Sequence, residues 1–134
     1  MDTKSTEAQT RWYAVKVLFE SVHSGDPLPD KSDADDSDDN LKLFEESIIL
    51  VKALNESQAN ERAALHAKKG EHEYLNAYGA SIKVQFVRIL HTFELNDDEL
   101  TDGTEIYARF IHARNENTAM DIIKRYYPEA EYMD

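Results

Sequence analysis

The chain has 134 residues, 41 % apolar and 31 % charged, and a formal charge of −12. That balance suits one globular domain over residues 1–134, while the sign of the charge argues against phosphate backbones and anionic lipid as partners. The absence of cysteine excludes disulfides, thiolate zinc sites and cysteine nucleophiles, and no stretch approaches the about 18 apolar residues of a membrane helix. Residues 1–10 are polar and read as a flexible arm without the apolar region of a secretory signal, and the cytoplasm is the expected compartment.

The first element is a strand over 11–22, RWYAVKVLFESV. Tyr13, Val15, Val17 and Phe19 share one face, and Trp12, Ala14 and Leu18 the other. Next comes an acidic stretch, DPLPDKSDADDSDDN at 26–40. Seven aspartates against one lysine give it −6, half of the chain's charge. With Leu28 and Ala34 as its only apolar residues beside the prolines, it reads as a mobile loop.

LFEESIILVKAL at 43–54 is a second strand, apolar on both faces, which predicts a central place in the sheet. A helix begins at Asn55, whose spacing to Gln58 matches a capping box. Ala59, Ala63 and Ala67 form a small-residue stripe for close packing on a sheet, and Gly70 is the C-cap. A short strand over 74–76 turns through Ala77, Tyr78 and Gly79. In the long strand over 81–95, Ile82, Val84 and Phe86 share one parity, whereas Val87, Ile89, Phe93 and Leu95 share the other. That phase change predicts a bulge near Val87 or Arg88. TEIYARFIHA at 104–113 alternates as a half-buried strand, with Ile106, Ala108 and Phe110 inward. A helix over 117–127 follows, capped by Asn115 or Asn117, with Met120, Ile123 and Tyr127 on one face and Pro128 as the stop. The sum is an α+β domain: a mainly antiparallel sheet of four to five strands with two helices packed on it.

Catalytic and metal motifs are weak. Asp35, Ser37, Asp39 and Glu46 have the oxygen spacing of a calcium loop. However, Asn40 replaces its turn glycine, Lys42 sits where an apolar residue is usual, and the flanks read as strands. The five histidines, His23, His66, His72, His91 and His112, lack a zinc spacing. No metal or cofactor is expected. Ser47 and Ser81 lack a nucleophile elbow. Glu45 and Glu46 point to opposite faces of a strand, so they cannot work as a pair, and whichever is covered needs a basic partner such as Arg88 or Arg109. The four glycines form no phosphate loop, and the basic residues form no stripe, so nucleotide and nucleic-acid binding are disfavoured.

WYAVKVLFESVHSG at 12–25, LFEESIILVKA at 43–53, GEHEYLNAYG at 70–79 and DGTEIYARF at 102–110 together resemble the bacterial domain-of-unknown-function family 4288 over about residues 12–113. The resemblance implies a small bacterial soluble domain; it implies no reaction and transfers no catalytic residue. The aspartate stretch and the helix after Ala113 lie outside the shared pattern.

Small size, strong negative charge and no catalytic constellation lead to one expectation: a non-enzymatic module binding a basic protein, in its most concrete form an immunity-type inhibitor of a basic toxin such as a nuclease. Asp33, Asp35, Asp36, Asp38 and Asp39 would steer the partner, and Tyr107, Tyr126, Tyr127 and Tyr132 would anchor it. The alternative is a small-ligand binder or enzyme with a polar cleft on the sheet at Glu46, Tyr107 and Arg109. The charge pattern offers neither nucleic acid nor membrane a surface.

Overall fold

The computed structural model describes residues 9–23 and 42–132. The acidic stretch, and with it Asp33, Asp35, Asp36, Asp38 and Asp39, lies outside the described residues, as does nearly all of the N-terminal arm. Four strands, β1 (Arg11–His23), β2 (Phe44–Ala53), β3 (His72–Leu75) and β4 (Ser81–Glu94), form one antiparallel sheet in the order β2-β1-β4-β3. Helix α1 (Glu56–Lys69) links β2 to β3, and α2 (Ala119–Tyr126) follows β4 after a long irregular connection. The protein is α+β, as the alternation predicts.

The core forms between α1 and one face of the sheet. Tyr13, Val15 and Val17 of β1 and Val51 and Ala53 of β2 lie under Ala59 and Ala63 of the helix, with Phe19, Ile49, Phe86 and Ile89 at the margin. The alanine stripe works as expected: Ala59, Ala63 and Ala67 are buried, and their small side chains let the helix axis approach the strands. The N-terminus of α1 is closed reciprocally. Asn55 Oδ1 accepts from the Gln58 amide at 2.8 Å, and Gln58 Oε1 accepts from the Leu54 amide at 2.7 Å. The Thr92 hydroxyl donates to Asn60 Oδ1 and ties the helix to β4.

β4 carries two irregularities. The register with β1 slips between Leu18 and Phe19, which leaves Val87 unopposed, and again between Lys16 and Val17, which leaves Leu90 unopposed. The expected bulge is therefore at Val87, and a second follows three residues later. The second one divides the residues that share a parity after Val87. Ile89 lies opposite Val17 on the helix face, while Phe93 lies opposite Ala14 on the outer face.

Four expectations are corrected. β2 is not central: among the described strands it pairs only with β1 and forms an edge of the sheet. Its inner face is apolar because α1 covers Ile49 and Val51, yet Ile48 and Leu50 on its outer face remain 41 % and 36 % exposed. Residues 104–113 form no strand; instead they cross the outer face of the sheet, held there through Tyr107. Their alternation does not mark burial, since Phe110 is 94 % exposed. The last helix is capped by Thr118, not by Asn115 or Asn117. Thr118 Oγ1 accepts from the Asp121 amide, and Asp121 Oδ2 accepts from the Thr118 amide at 2.9 Å, a full capping box that lowers the pKa of Asp121. Asn117 Oδ1 instead accepts from the Arg114 amide. Finally, α2 does not pack on the sheet. It has no buried residue, Met120 is 47 % exposed, and its neighbour is the 3-10 turn Pro128–Tyr132.

Candidate functional site

The outer face of the sheet carries the one place where the expected polar residues meet. Along β1, the even-numbered residues Trp12, Ala14, Lys16 and Leu18 face away from α1. Lys16 interrupts that apolar row. The bulge at Leu90 sets His91 directly opposite Lys16, and β2 places Glu46 one rung away, opposite Leu18. Tyr107 comes down on this group from the crossing segment. Its ring stands edge-on to His91 at 5.3 Å and lies against Phe93 at 6.1 Å. Its hydroxyl is hydrogen-bonded to His91 Nδ1.

Lys16 is the hub. Its ammonium is 3.3 Å from Glu46 Oε1 and 4.5 Å from the centre of the Tyr107 ring, and its side chain is only 16 % exposed. A cation so covered is held by the carboxylate and by the negative face of the phenol ring. Glu46 thus finds its basic partner within the sheet; neither Arg88 nor Arg109 serves it. Arg88 donates to the carbonyl of Ile89. Arg109 turns towards α2, donating to the Tyr127 hydroxyl at 2.9 Å, with its guanidinium 5.4 and 5.9 Å from the Tyr126 and Tyr127 rings.

Lys16, Glu46, Leu90, His91, Tyr107, Arg109 and Phe110 line a groove of about 410 Å³. Glu46, Tyr107 and Arg109, expected as a cleft from the sequence, therefore do share one wall. Tyr126 and Tyr127, 39 % and 41 % exposed, continue the surface through Arg109. Tyr132 ends the 3-10 turn, and its side chain lies outside the described residues. Glu46, the twelfth position of the calcium-loop spacing, stands on a strand, and the other positions of that spacing, Asp35, Ser37 and Asp39, lie outside the described residues.

Sequence reasoning missed four members of the groove, Lys16, Leu90, His91 and Phe110. Lys16 carried a signal, as a charge inside an otherwise apolar row. His91 carried none, because its position depends on the second bulge. Alternation puts Phe110 on a buried face, whereas it stands in solvent.

The family model described as "Domain of unknown function (DUF4288)" matches residues 12–108. The chain belongs to that family. The match takes in all of the sheet but Arg11, together with α1 and Tyr107, and stops just before Arg109 and Phe110, so the rim formed with α2 lies beyond the DUF4288 region. Neither the curated proteins nor the solved structures compared with the chain gave a match.

Proposed function

We propose that this DUF4288 chain is a non-enzymatic protein-binding module for a basic partner, most concretely an immunity-type inhibitor of a basic toxin such as a nuclease. The observation that carries the reading is the rim of the groove. Phe110 stands 94 % exposed beside Arg109, which is itself braced by two half-exposed tyrosines. Aromatic residues and arginine are the side chains that most often anchor protein interfaces, and bracing Arg109 beforehand lowers the ordering cost of binding. The charge of −12 would act earlier, by drawing in a cationic partner.

The two roles separate experimentally. A basic protein retained from a lysate of the source organism at low salt is the partner to purify. Phe110→Ala should then raise its dissociation rate about tenfold or more and leave the association rate nearly unchanged. Replacing Asp33, Asp35, Asp36, Asp38 and Asp39 together with asparagine should slow association at low salt and flatten its salt dependence. If both parameters stay at their original values, the aspartates lie outside the interface and the steering argument fails.

The convergence of Glu46, Tyr107 and Arg109 favours a second reading, a small-ligand site in the groove. A thermal-shift screen with small carboxylates and amines, repeated on Arg109→Ala, tests it. A ligand that stabilises the original chain and not the variant supports this reading over the first.

A further inference from the structure

β2 has the composition of an interior strand and the position of an edge strand. Both of its faces are apolar, it contains no proline, and no described strand pairs with its outer edge. Edge strands are usually guarded by prolines, bulges or central charges. Here the charges sit at the two ends, Glu45 and Glu46 at one and Lys52 at the other, around the apolar Ile48–Val51 run.

The hydrogen-bond phase of β2 follows from its pairing with β1. The register is unbroken from Arg11↔Ala53 to Glu20↔Phe44, and one step further the Ser21 amide donates to the Leu43 carbonyl at 2.9 Å. In an antiparallel ladder such bonds fall on alternate pairs. The odd-numbered residues of β2 therefore address β1. Phe44, Glu46, Ile48, Leu50 and Lys52 point their N–H and C=O groups outward, and their side chains lie on the outer face.

We infer that β2 is a self-pairing edge, at which two copies of this chain join antiparallel about a two-fold axis at Ile49 to make one eight-stranded sheet. In that register, Ile48 faces Leu50 of the second copy, Glu46 faces Lys52, and Phe44 faces Leu54 just beyond the strand. Each contact occurs twice, as a two-fold interface requires. Sliding the strands two residues either way sets a charge against an apolar side chain, Lys52 against Phe44 or Ile48, and Glu46 against Leu50 or Leu54. Charge complementarity thus selects one register. The same pairing covers side chains now exposed: Phe44 by 55 %, Leu54 by 42 %, Ile48 by 41 % and Leu50 by 36 %. Glu46 keeps Lys16 on one carboxylate oxygen and is open enough, at 61 % exposed, to meet a second cation. The interface shares Glu46 with the groove but uses neither Phe110 nor Arg109 of the rim, so either proposal can fail without the other.

Sedimentation equilibrium of the full chain should give a concentration-dependent mass rising from 15.4 kDa towards twice that value. Lys52→Glu sets like charges opposite each other at two symmetry-related places and should weaken dimerisation about tenfold or more. A second test needs no charge change. Ile49→Cys puts a thiol opposite itself in a non-hydrogen-bonded pair, with Cα atoms about 4.5 Å apart, so mild oxidation should give a covalent dimer. Ser47→Cys faces Val51 instead, leaving its two copies roughly 14 Å apart, and should crosslink far more slowly. A mass that stays at 15.4 kDa up to roughly 1 mM overturns the inference. It is equally overturned by a dimer that Lys52→Glu leaves intact, or by equal crosslinking of the two cysteine variants.

Discussion

Ala63 is fully buried beneath α1, where the helix meets Val15 and Val51. A leucine there has no room. Ala63→Leu should destabilise the fold by about 1–3 kcal/mol, read as a lower urea midpoint at unchanged slope. Tyr13 makes a different prediction. Its ring is buried and its hydroxyl reaches Glu94 Oε1 at the sheet rim, 3.4 Å away. Burial, and then the neighbouring carboxylate, raise its pKa above the ordinary value of a phenol. A raised pKa means that folding favours the protonated phenol. That stability is fully present below the unfolded pKa and is lost as pH rises through the folded one. Melting curves should therefore fall with alkalinity above about pH 10, and less steeply in Tyr13→Phe.

The cap of α1 is a property of an element, and its worth can be measured as such. Asn55→Ala leaves the Gln58 amide without its acceptor and should cost about 1 kcal/mol, with loss of amide protection concentrated in the first turn of α1. The strands show where element-level reading succeeds and fails. β1 was legible because each of its faces is consistent along its length. β4 was legible only in part: a change of parity reveals one bulge, but the slip at Leu90 returns the strand to its first parity. Residues 104–113 have the alternation of a strand, but no described strand lies beside them to bond. Periodicity reports which side chains share a face, and ladder bonds need a neighbour that no local pattern supplies.

At the scale of the molecule, the sheet with α1 is one cooperative unit, and the C-terminal turn of chain is an appendage. Among the described residues of α2 none is buried, and Arg109 ties the helix to the rest through Tyr126 and Tyr127. Removing residues 115–134 should shift the melting temperature by no more than about 3 °C, in contrast to any truncation that reaches β4. If the proposed rim is the binding surface, the same truncation should abolish partner capture, because Arg109 loses both rings that brace it. Fold and binding would then be carried by different parts of the chain.

The sequence by itself determined the α+β class, the strands β1 and β2, the alanine stripe and cap of α1, and the bulge at Val87. All of these rest on contacts within a few residues or on a period that one segment carries alone. It also named Glu46, Tyr107 and Arg109 as polar residues near the sheet. Only the tertiary structure decided that β2 is an edge, that Lys16 is the partner of Glu46, that His91 joins them, and that Phe110 stands in solvent. Each of these depends on which strand lies beside which and on a slip of register, and such long-range pairings leave no periodic trace in the segments they join.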